Sequence, residues 1–131
     1  MTTTLTAPGA RQVTTSFSPH AASVRAARQF VSDRLEGTDV DLDLALLLTS
    51  ELASNAVVHA RTPFEVVVTL GADWCRIGVV DRSPEELHPG GFSTTATGGR
   101  GLRMMHALSD RSGCDRLTRG KVVWFELRRD R

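Results

Sequence analysis

Residues 41–60, with the sequence DLDLALLLTSELASNAVVHA, form the most informative segment of the chain. The spacing of the apolar residues predicts a helix that begins at about Asp39 or Asp41, where an acidic residue suits the positive end of the helix dipole, and ends near His59. At 3.6 residues per turn, one side of this helix carries a continuous apolar stripe. The stripe is predicted to consist of Leu44, Leu47, Leu48 and Val58.

Glu51 and Asn55 interrupt that predicted stripe with polar side chains. A buried carboxylate or amide without a partner would cost on the order of several kcal/mol, so some group must meet each of them. One explanation is a cation with its waters. The other is that Glu51 caps the helix or pairs with an arginine, while Asn55 bonds to backbone. The helix by itself leaves both explanations open.

The segment before this helix predicts one strand and one helix. Residues 11–17 are expected to form a strand, and a helix is expected over 19–35, with Ser18 as its cap and Pro19 in its first turn. Gly37 is expected to end this helix. Its buried face is predicted to consist of Val24, Ala27, Val31 and Leu35.

The second half of the chain predicts mainly strands. Residues 64–70 alternate with period two, and 74–81 follow after a short turn, so the two segments are expected to form a hairpin. A C-terminal strand is expected over 122–127, paired with a weaker strand near 115–118. Between these strand pairs, a loop over 83–99 should lead into a helix over 100–109 that buries Leu102, Met105 and Leu108.

This element order predicts an α/β (α+β) two-layer sandwich, with a mostly antiparallel mixed sheet and about three helices on one face. A chain of 131 residues has room for one domain, here 11–131, preceded by a disordered tail over 1–10. The net charge of +1 argues against direct nucleic-acid binding, and the longest apolar runs are too short for a membrane span. Two isolated cysteines and no secretory signal favour a cytoplasmic location and argue against zinc.

Two further features are candidate ligand sites. Asp81 ends its strand on the same side as Ile77 and Val79, so its carboxylate is expected to be partly buried and available to a ligand. A turn-forming Asp before Ser83 and Pro84 explains it equally well. The glycines in 98–101 (GGRG) lie at the predicted start of the third helix, where free amides could hold a phosphate, although flexible loops carry glycines for many reasons.

Taken in order, residues 51–60, Asp81 and the run 99–102 resemble the N, G1 and G2 boxes of the GHKL ATPases (gyrase, chaperone, histidine kinase, mismatch repair), which share the histidine-kinase-like ATPase fold. The Glu-x-x-x-Asn-x-x-x-His-Ala pattern is the most specific part. The closing residues 120–127 (GKVVWFEL) are similar to the last strand of anti-sigma-factor serine/threonine kinases.

The resemblance implies the cofactors ATP and Mg²⁺ and a role for each matching residue. It implies that Asn55 ligates Mg²⁺ and that Glu51 is the catalytic residue that positions or activates the attacking hydroxyl or water. It places His59 near the nucleotide and gives Asp81 a hydrogen bond from the adenine amino group. The remaining nucleotide contacts that it implies come from Gly99, Arg100, Gly101 and Leu102, and the loop over 83–99 corresponds to an ATP lid.

The resemblance also implies a function. It is that of an anti-sigma regulator that holds a sigma factor and phosphorylates an anti-anti-sigma protein of the STAS type, as a possible homodimer with no direct contact to nucleic acid or membrane. The alternative is a protein-sequestering module of the same fold that binds ATP weakly or not at all. The sequence departs from the family pattern after Asp81, where glycines are missing, and at Lys121 and Val122, where relatives often have Thr. The adenine side of the pocket must therefore be built differently.

Overall fold

A computed structural model describes residues 2–4, 10–83 and 96–129, with backbone only for residues 2–4 and 96–100. The strands form one six-stranded sheet in the order β1-β2-β3-β4-β6-β5. Every pair in these described ranges is antiparallel, so this part of the sheet is not mixed. The strands are β1 (Thr2–Thr4), β2 (Arg11–Phe17), β3 (Phe64–Leu70), β4 (Trp74–Asp81), β5 (Arg111–Arg116) and β6 (Lys121–Arg128).

The strand predictions are largely confirmed, with one correction at the N-terminus and one at β5, which was expected near 115–118 but runs over Arg111–Arg116, although it pairs with β6 as predicted. β2, β3 and β4 have the predicted bounds, and β3 and β4 form the predicted hairpin. The prediction of a disordered tail over 1–10 is wrong for Thr2–Thr4, which pairs with residues 12–14 of β2. Three consecutive β-branched residues suit an edge strand, because their side chains fit the extended backbone. The other residues of that prediction, apart from Ala10, lie outside the described ranges.

The first helix, α1 (Ala22–Leu35), begins three residues later than predicted. The capping role expected of Ser18 and the first-turn role of Pro19 are therefore wrong. Ser18 instead opens a separate turn, in which its carbonyl accepts a hydrogen bond from the backbone N–H of His20 (2.8 Å). The end of the helix is as predicted, with Gly37 in the left-handed region (φ +80°). Three of the four predicted core residues, Ala27, Val31 and Leu35, are buried, and Val24 packs partly buried against the core.

The second helix, α2 (Leu42–Asn55), begins at the predicted place. The carboxylate of Asp41 accepts a hydrogen bond from the N–H of Leu44 (3.1 Å), which caps the helix. Its last turn is a π-helix over Ala56–Ala60, closed by an i→i+5 bond from Arg61 N–H to Ala56 O (3.0 Å). Arg61 then takes a left-handed conformation (φ 57°).

The predicted buried stripe of α2 is wrong at two positions. Leu47 and Val58 are exposed to 43% and 54%, whereas Leu48 is fully buried and Leu44 is partly buried. The helix instead packs into the core through a neighbouring stripe that contains several small residues: Ala45, Leu48, Thr49, Leu52, Ala53 and Ala56. Because residues 44–48 are all apolar, the spacing alone could not select which side faces the core.

The third helix, α3 (Ala96–Leu108), begins four residues before the predicted start at residue 100. Leu102 and Met105 are buried as predicted, but Leu108 is 49% exposed. Leu108 is the last residue of the helix, and α3 packs on the core through the turns before it. None of the helices in the described ranges is long and apolar enough to span a bilayer.

The core lies between one face of the sheet and the three helices, which confirms the two-layer sandwich. The sheet contributes alternate residues of β3, β4 and β6: Val66, Val68, Cys75, Ile77, Val79, Val123, Phe125 and Leu127. The ends of β4 and β6 lie next to each other, because Asp81 pairs with Lys121 in the sheet register. This register brings residues 40 positions apart in sequence to one edge of the helix-covered face.

Because Cys75 is buried, we expect the free energy of unfolding to depend on pH. Burial raises the pKa of this thiol from the ordinary value of 9.0 to about 12. The unfolded chain therefore loses this proton before the folded chain does, so stability should fall as the pH rises from about 9 to about 12, by at most about 1.4 kcal/mol per pH unit. Urea unfolding of the parent and of Cys75→Ala across that range should show a shallower slope for the variant. If the stability of both proteins falls equally steeply with pH, Cys75 does not cause the pH dependence.

Candidate functional site

Glu51 of α2 faces Gly101 of α3. A Cβ at Gly101 would lie 2.8 Å from Glu51 Oε2 and 3.3 Å from Glu51 Cβ. A side chain at residue 101 would therefore displace the Glu51 carboxylate from its present position, which glycine leaves open. The structure thus brings together two residues that the sequence separates by 50 positions. The prediction that Glu51 caps the helix or pairs with arginine has no support among the hydrogen bonds and ion pairs described for the chain.

Asn55 and His59 carry the unpaired polar atoms of the site. Asn55 ends α2, and its Oδ1 is buried without a hydrogen-bond partner in the described structure. The Nε2 of His59, within the π-helical turn, is likewise buried without a partner. π-Helical turns inserted in α-helices are frequent at functional sites, and unpaired buried polar atoms are costly. These two atoms therefore mark the end of α2 as a place where a ligand could supply the missing partners.

Asp81 is buried as predicted, with 4% of its surface exposed. Its two oxygens already have partners: Oδ1 accepts from the N–H of Ser83 (3.0 Å), and Oδ2 accepts from Nζ of Lys121 (2.8 Å). The first bond is the turn that the sequence allowed as the alternative explanation. The sequence did not predict the second bond, from Lys121. A hydrogen bond from an adenine amino group would have to be added to these two.

The segment after His59 also reaches the end of β4. The backbone N–H of Arg82 donates to Thr62 Oγ1 (3.2 Å), and Phe64 pairs with Asp81 in the sheet register. The strained Arg61 lies directly before this contact, and residues in that conformation persist where the surrounding structure holds them. The C-terminal end of α2 and Asp81 therefore border one region of the surface.

The glycines of 98–101 lie inside α3 and not before it, which corrects the predicted phosphate cradle at a helix start. Gly99 and Arg100 are within the first turns of the helix, and the surroundings of the Arg100 side chain lie outside the described structure. Leu102 is a core residue with 8% exposure. Of the predicted lid, residues 84–95 lie outside the described ranges, and the remainder of 83–99 after residue 95 is helical.

Lys121 is the residue of this region to which the sequence pattern assigned no role. A signal was present, because Lys121 and Val122 stand where relatives often have Thr. Gly120 before it has φ +84°, and a Cβ there would overlap the backbone oxygen of Asp81. The turn into β6 therefore holds Lys121 closely against the end of β4.

No cluster of three or more His, Cys, Asp or Glu side chains that could hold a metal occurs within the described ranges. Mg²⁺ does not need such a cluster, because it is commonly held by only one or two protein oxygens together with phosphate oxygens and water. The unpaired Oδ1 of Asn55 fits such a site as a single oxygen ligand.

The fold and the site together define a two-layer α/β domain whose second helix places Glu51 against a glycine of the third helix and carries unpaired polar atoms at its end. The family model for the histidine kinase-like ATPase domain matches residues 17–127, so the chain belongs to the histidine kinase-like ATPase domain family. The resemblance inferred from the sequence is thereby confirmed at this level.

One solved structure supports the fold independently. The chain is similar to the crystal structure of the RsbU and RsbW domains of Rv1364c from Mycobacterium tuberculosis, with a TM-score of 0.69 and 20% sequence identity. The similarity covers 92% of this chain and 33% of that one, so the chain spans about a third of the length of that protein. No curated protein matches the chain.

Proposed function

We propose that this protein is a cytoplasmic anti-sigma regulator that binds Mg-ATP and phosphorylates a Ser or Thr of an anti-anti-sigma partner. The observation that carries the proposal is the buried, unpaired Oδ1 of Asn55, one turn after a glutamate held against Gly101. A regular amphipathic helix would place apolar side chains at both positions, because unpaired polar groups destabilise the fold. A ligand that occupies this end of α2 explains why they are retained.

Asn55 is the residue that would hold the metal. Its amide oxygen is a hard ligand of the kind that Mg²⁺ prefers, and the phosphates of the nucleotide would provide others. When bound, Mg²⁺ neutralises phosphate charge during phosphoryl transfer. The adjacent His59 is a second group with an unpaired buried nitrogen, and we assign it a contact to the nucleotide side of this site and not to the metal.

Glu51 is the proposed general base. Its carboxylate would accept the proton of the partner's hydroxyl as that oxygen forms a bond to the γ-phosphorus and the bond from γ-phosphorus to the β-bridging oxygen breaks, leaving ADP. Positioning matters most in this chemistry, and Glu51 is positioned by its contact with α3 at Gly101. Gly99 and Arg100 are proposed to complete the phosphate side from the same helix, which Leu102 anchors in the core.

The proposed partners are a sigma factor and a STAS-type anti-anti-sigma protein. This assignment follows the sequence resemblance to anti-sigma-factor kinases, and the similarity to a structure that contains an RsbW domain supports it. The net charge of +1 gives no general attraction to nucleic acid, so the proposed action on transcription is through protein partners. A homodimer is part of the proposal.

Incubation with γ-³²P-ATP, Mg²⁺ and a panel of STAS-type domains tests the proposal. We expect label on a Ser or Thr of at least one domain, with none when that residue is replaced by Ala. Binding of ATP without transfer to any domain would contradict the kinase activity.

The contacts of Asp81 favour a second candidate function, a sequestering module in which ATP binds weakly or not at all. Both carboxylate oxygens are already hydrogen-bonded, which is the arrangement expected of a structural residue. Calorimetric titration with Mg-ATP separates the two candidates, because only the first requires an occupied pocket. If Asp81→Asn binds ATP as tightly as the parent, the adenine assignment of Asp81 is wrong.

A further inference from the structure

Lys121 and Asp81 form an ion pair on the helix-covered face of the sheet. Lys121 begins β6 with the same parity as the buried Val123 and Phe125, and Asp81 has the parity of Ile77 and Val79. Both side chains therefore project toward the layer that contains α2 and α3, at the edge of the site described above. The distance between Nζ and Oδ2 is 2.8 Å.

The pair retains hydrogen-bonding capacity. A carboxylate has about four lone-pair sites, and the described bonds from Ser83 and Lys121 use two of those on Asp81. An ammonium group has three N–H donors, and one of those on Lys121 points to Asp81. The pair can therefore present one acceptor and one donor side by side, with its charges already balanced.

The two groups differ in depth. The side chain of Asp81 is 6% exposed and that of Lys121 is 27% exposed. A ligand that approaches from the solvent side therefore meets the ammonium group of Lys121 first. Only a substituent that extends beyond the rest of the ligand can reach the carboxylate of Asp81. The acceptor is thus recessed, and the donor lies outside it on a flexible side chain.

From this arrangement we infer that Lys121 contacts the adenine base together with Asp81. Its ammonium group donates to the ring nitrogen N1 of adenine, while the recessed Asp81 accepts from the exocyclic amino group. The amino group projects from the ring and can reach the recessed acceptor. Guanine instead presents a carbonyl oxygen at that position, which the carboxylate repels, and an N1–H donor where adenine has the N1 acceptor, so it cannot accept from Lys121 at N1.

This inference rests on the proposed binding of ATP, and calorimetry with two nucleotides tests it. 1-Deaza-ATP has a C–H in place of N1 and is otherwise matched to ATP. We expect the parent protein to bind ATP roughly 10- to 100-fold more tightly than 1-deaza-ATP, because a hydrogen bond to a charged group is lost. Lys121→Met should bind both nucleotides equally, at about the weaker affinity.

Two variants control for charge and for donor capacity. Arg116→Met removes an exposed cation that pairs with Lys121 in the register of β5 and β6, and it should keep the preference for ATP. Lys121→Arg keeps a donor and should keep part of the preference. Equal binding of both nucleotides to the parent would overturn the inference, as would tighter ATP binding by Lys121→Met, which would mean that the lysine blocks Asp81.

A measurement on the unaltered protein avoids any effect of substitution on folding. Because the chain has one lysine, ¹⁵N-lysine labelling gives one side-chain ammonium signal. We expect saturation with Mg-ATP to shift this signal and saturation with Mg-1-deaza-ATP to shift it much less. Equal shifts would contradict the contact with N1. Failure of the parent to bind ATP at all would overturn the proposed function, and the inference with it.

Discussion

Glu51→Gln is expected to lower the rate of phosphoryl transfer by roughly 10²- to 10⁴-fold, which is the usual contribution of a general base. The amide has nearly the same shape as the carboxylate but does not accept the hydroxyl proton, so Mg-ATP affinity should change little. The measurement is single-turnover transfer from γ-³²P-ATP together with calorimetry. An equal loss of binding and transfer would mean that Glu51 holds the nucleotide and is not the base.

Two variants make this prediction specific. Glu36→Gln removes an exposed carboxylate that directly follows α1, and it should leave transfer unchanged. Gly101→Ala places a Cβ 2.8 Å from Glu51 Oε2 and should displace the carboxylate. Its effect on transfer should therefore be largely absent in the Glu51→Gln background, because the two changes act on one group. Fully additive losses would contradict the positioning of Glu51 by α3.

Asn55→Ala is expected to abolish most of the Mg²⁺-dependent part of ATP binding, a loss of at least roughly 10-fold in affinity, because it removes the proposed protein ligand of the metal. Since the buried Oδ1 has no partner in the described structure, its removal should not destabilise the fold. Calorimetry with ATP in Mg²⁺ and in EDTA, combined with thermal unfolding, measures both effects.

The matched control for Asn55 is its neighbour Ser54→Ala, which alters the preceding side chain of the same helix. We expect this variant to bind Mg-ATP as the parent does. Asn55→Asp keeps an oxygen ligand and should retain Mg²⁺-dependent binding. If Asn55→Ala binds ATP equally with Mg²⁺ and with EDTA, and as tightly as the parent, Asn55 is not the metal ligand.

The strands were predictable because the signals for them are local. In β3 the buried residues Phe64, Val66 and Val68 alternate with less buried ones, and this period-two pattern is visible in the sequence alone. The cap at Asp41 is local as well, since it depends on a carboxylate three residues before Leu44. Features that depend on neighbouring residues of the chain could therefore be predicted largely correctly.

The errors arose where the outcome depends on packing between distant segments. The buried side of α2 could not be selected from the uniformly apolar residues 44–48, and small residues such as Ala45 and Ala53 proved to be buried. The start of α3 was misplaced because glycines are typical of loops, although they also occur within helices.

In the candidate site, too, local features could be predicted from the sequence and contacts between distant segments could not. The spacing of Glu51 and Asn55 indicated an interrupted helix face, and the structure places them at the contact with Gly101 and at the start of the π-helical turn. The pairing of Asp81 with Lys121 could not be inferred, because it requires the register between β4 and β6. Cross-strand partners follow from register, and register depends on the whole sheet.

A crystal structure with Mg²⁺ and a non-hydrolysable ATP analogue would show most directly whether the end of α2 holds Mg-ATP. We expect a metal ion about 2.1 Å from Asn55 Oδ1, the usual distance for Mg²⁺ and oxygen, with the γ-phosphate between the metal and Glu51. A nucleotide bound elsewhere, or a metal ion with no contact to Asn55, would contradict the proposed site.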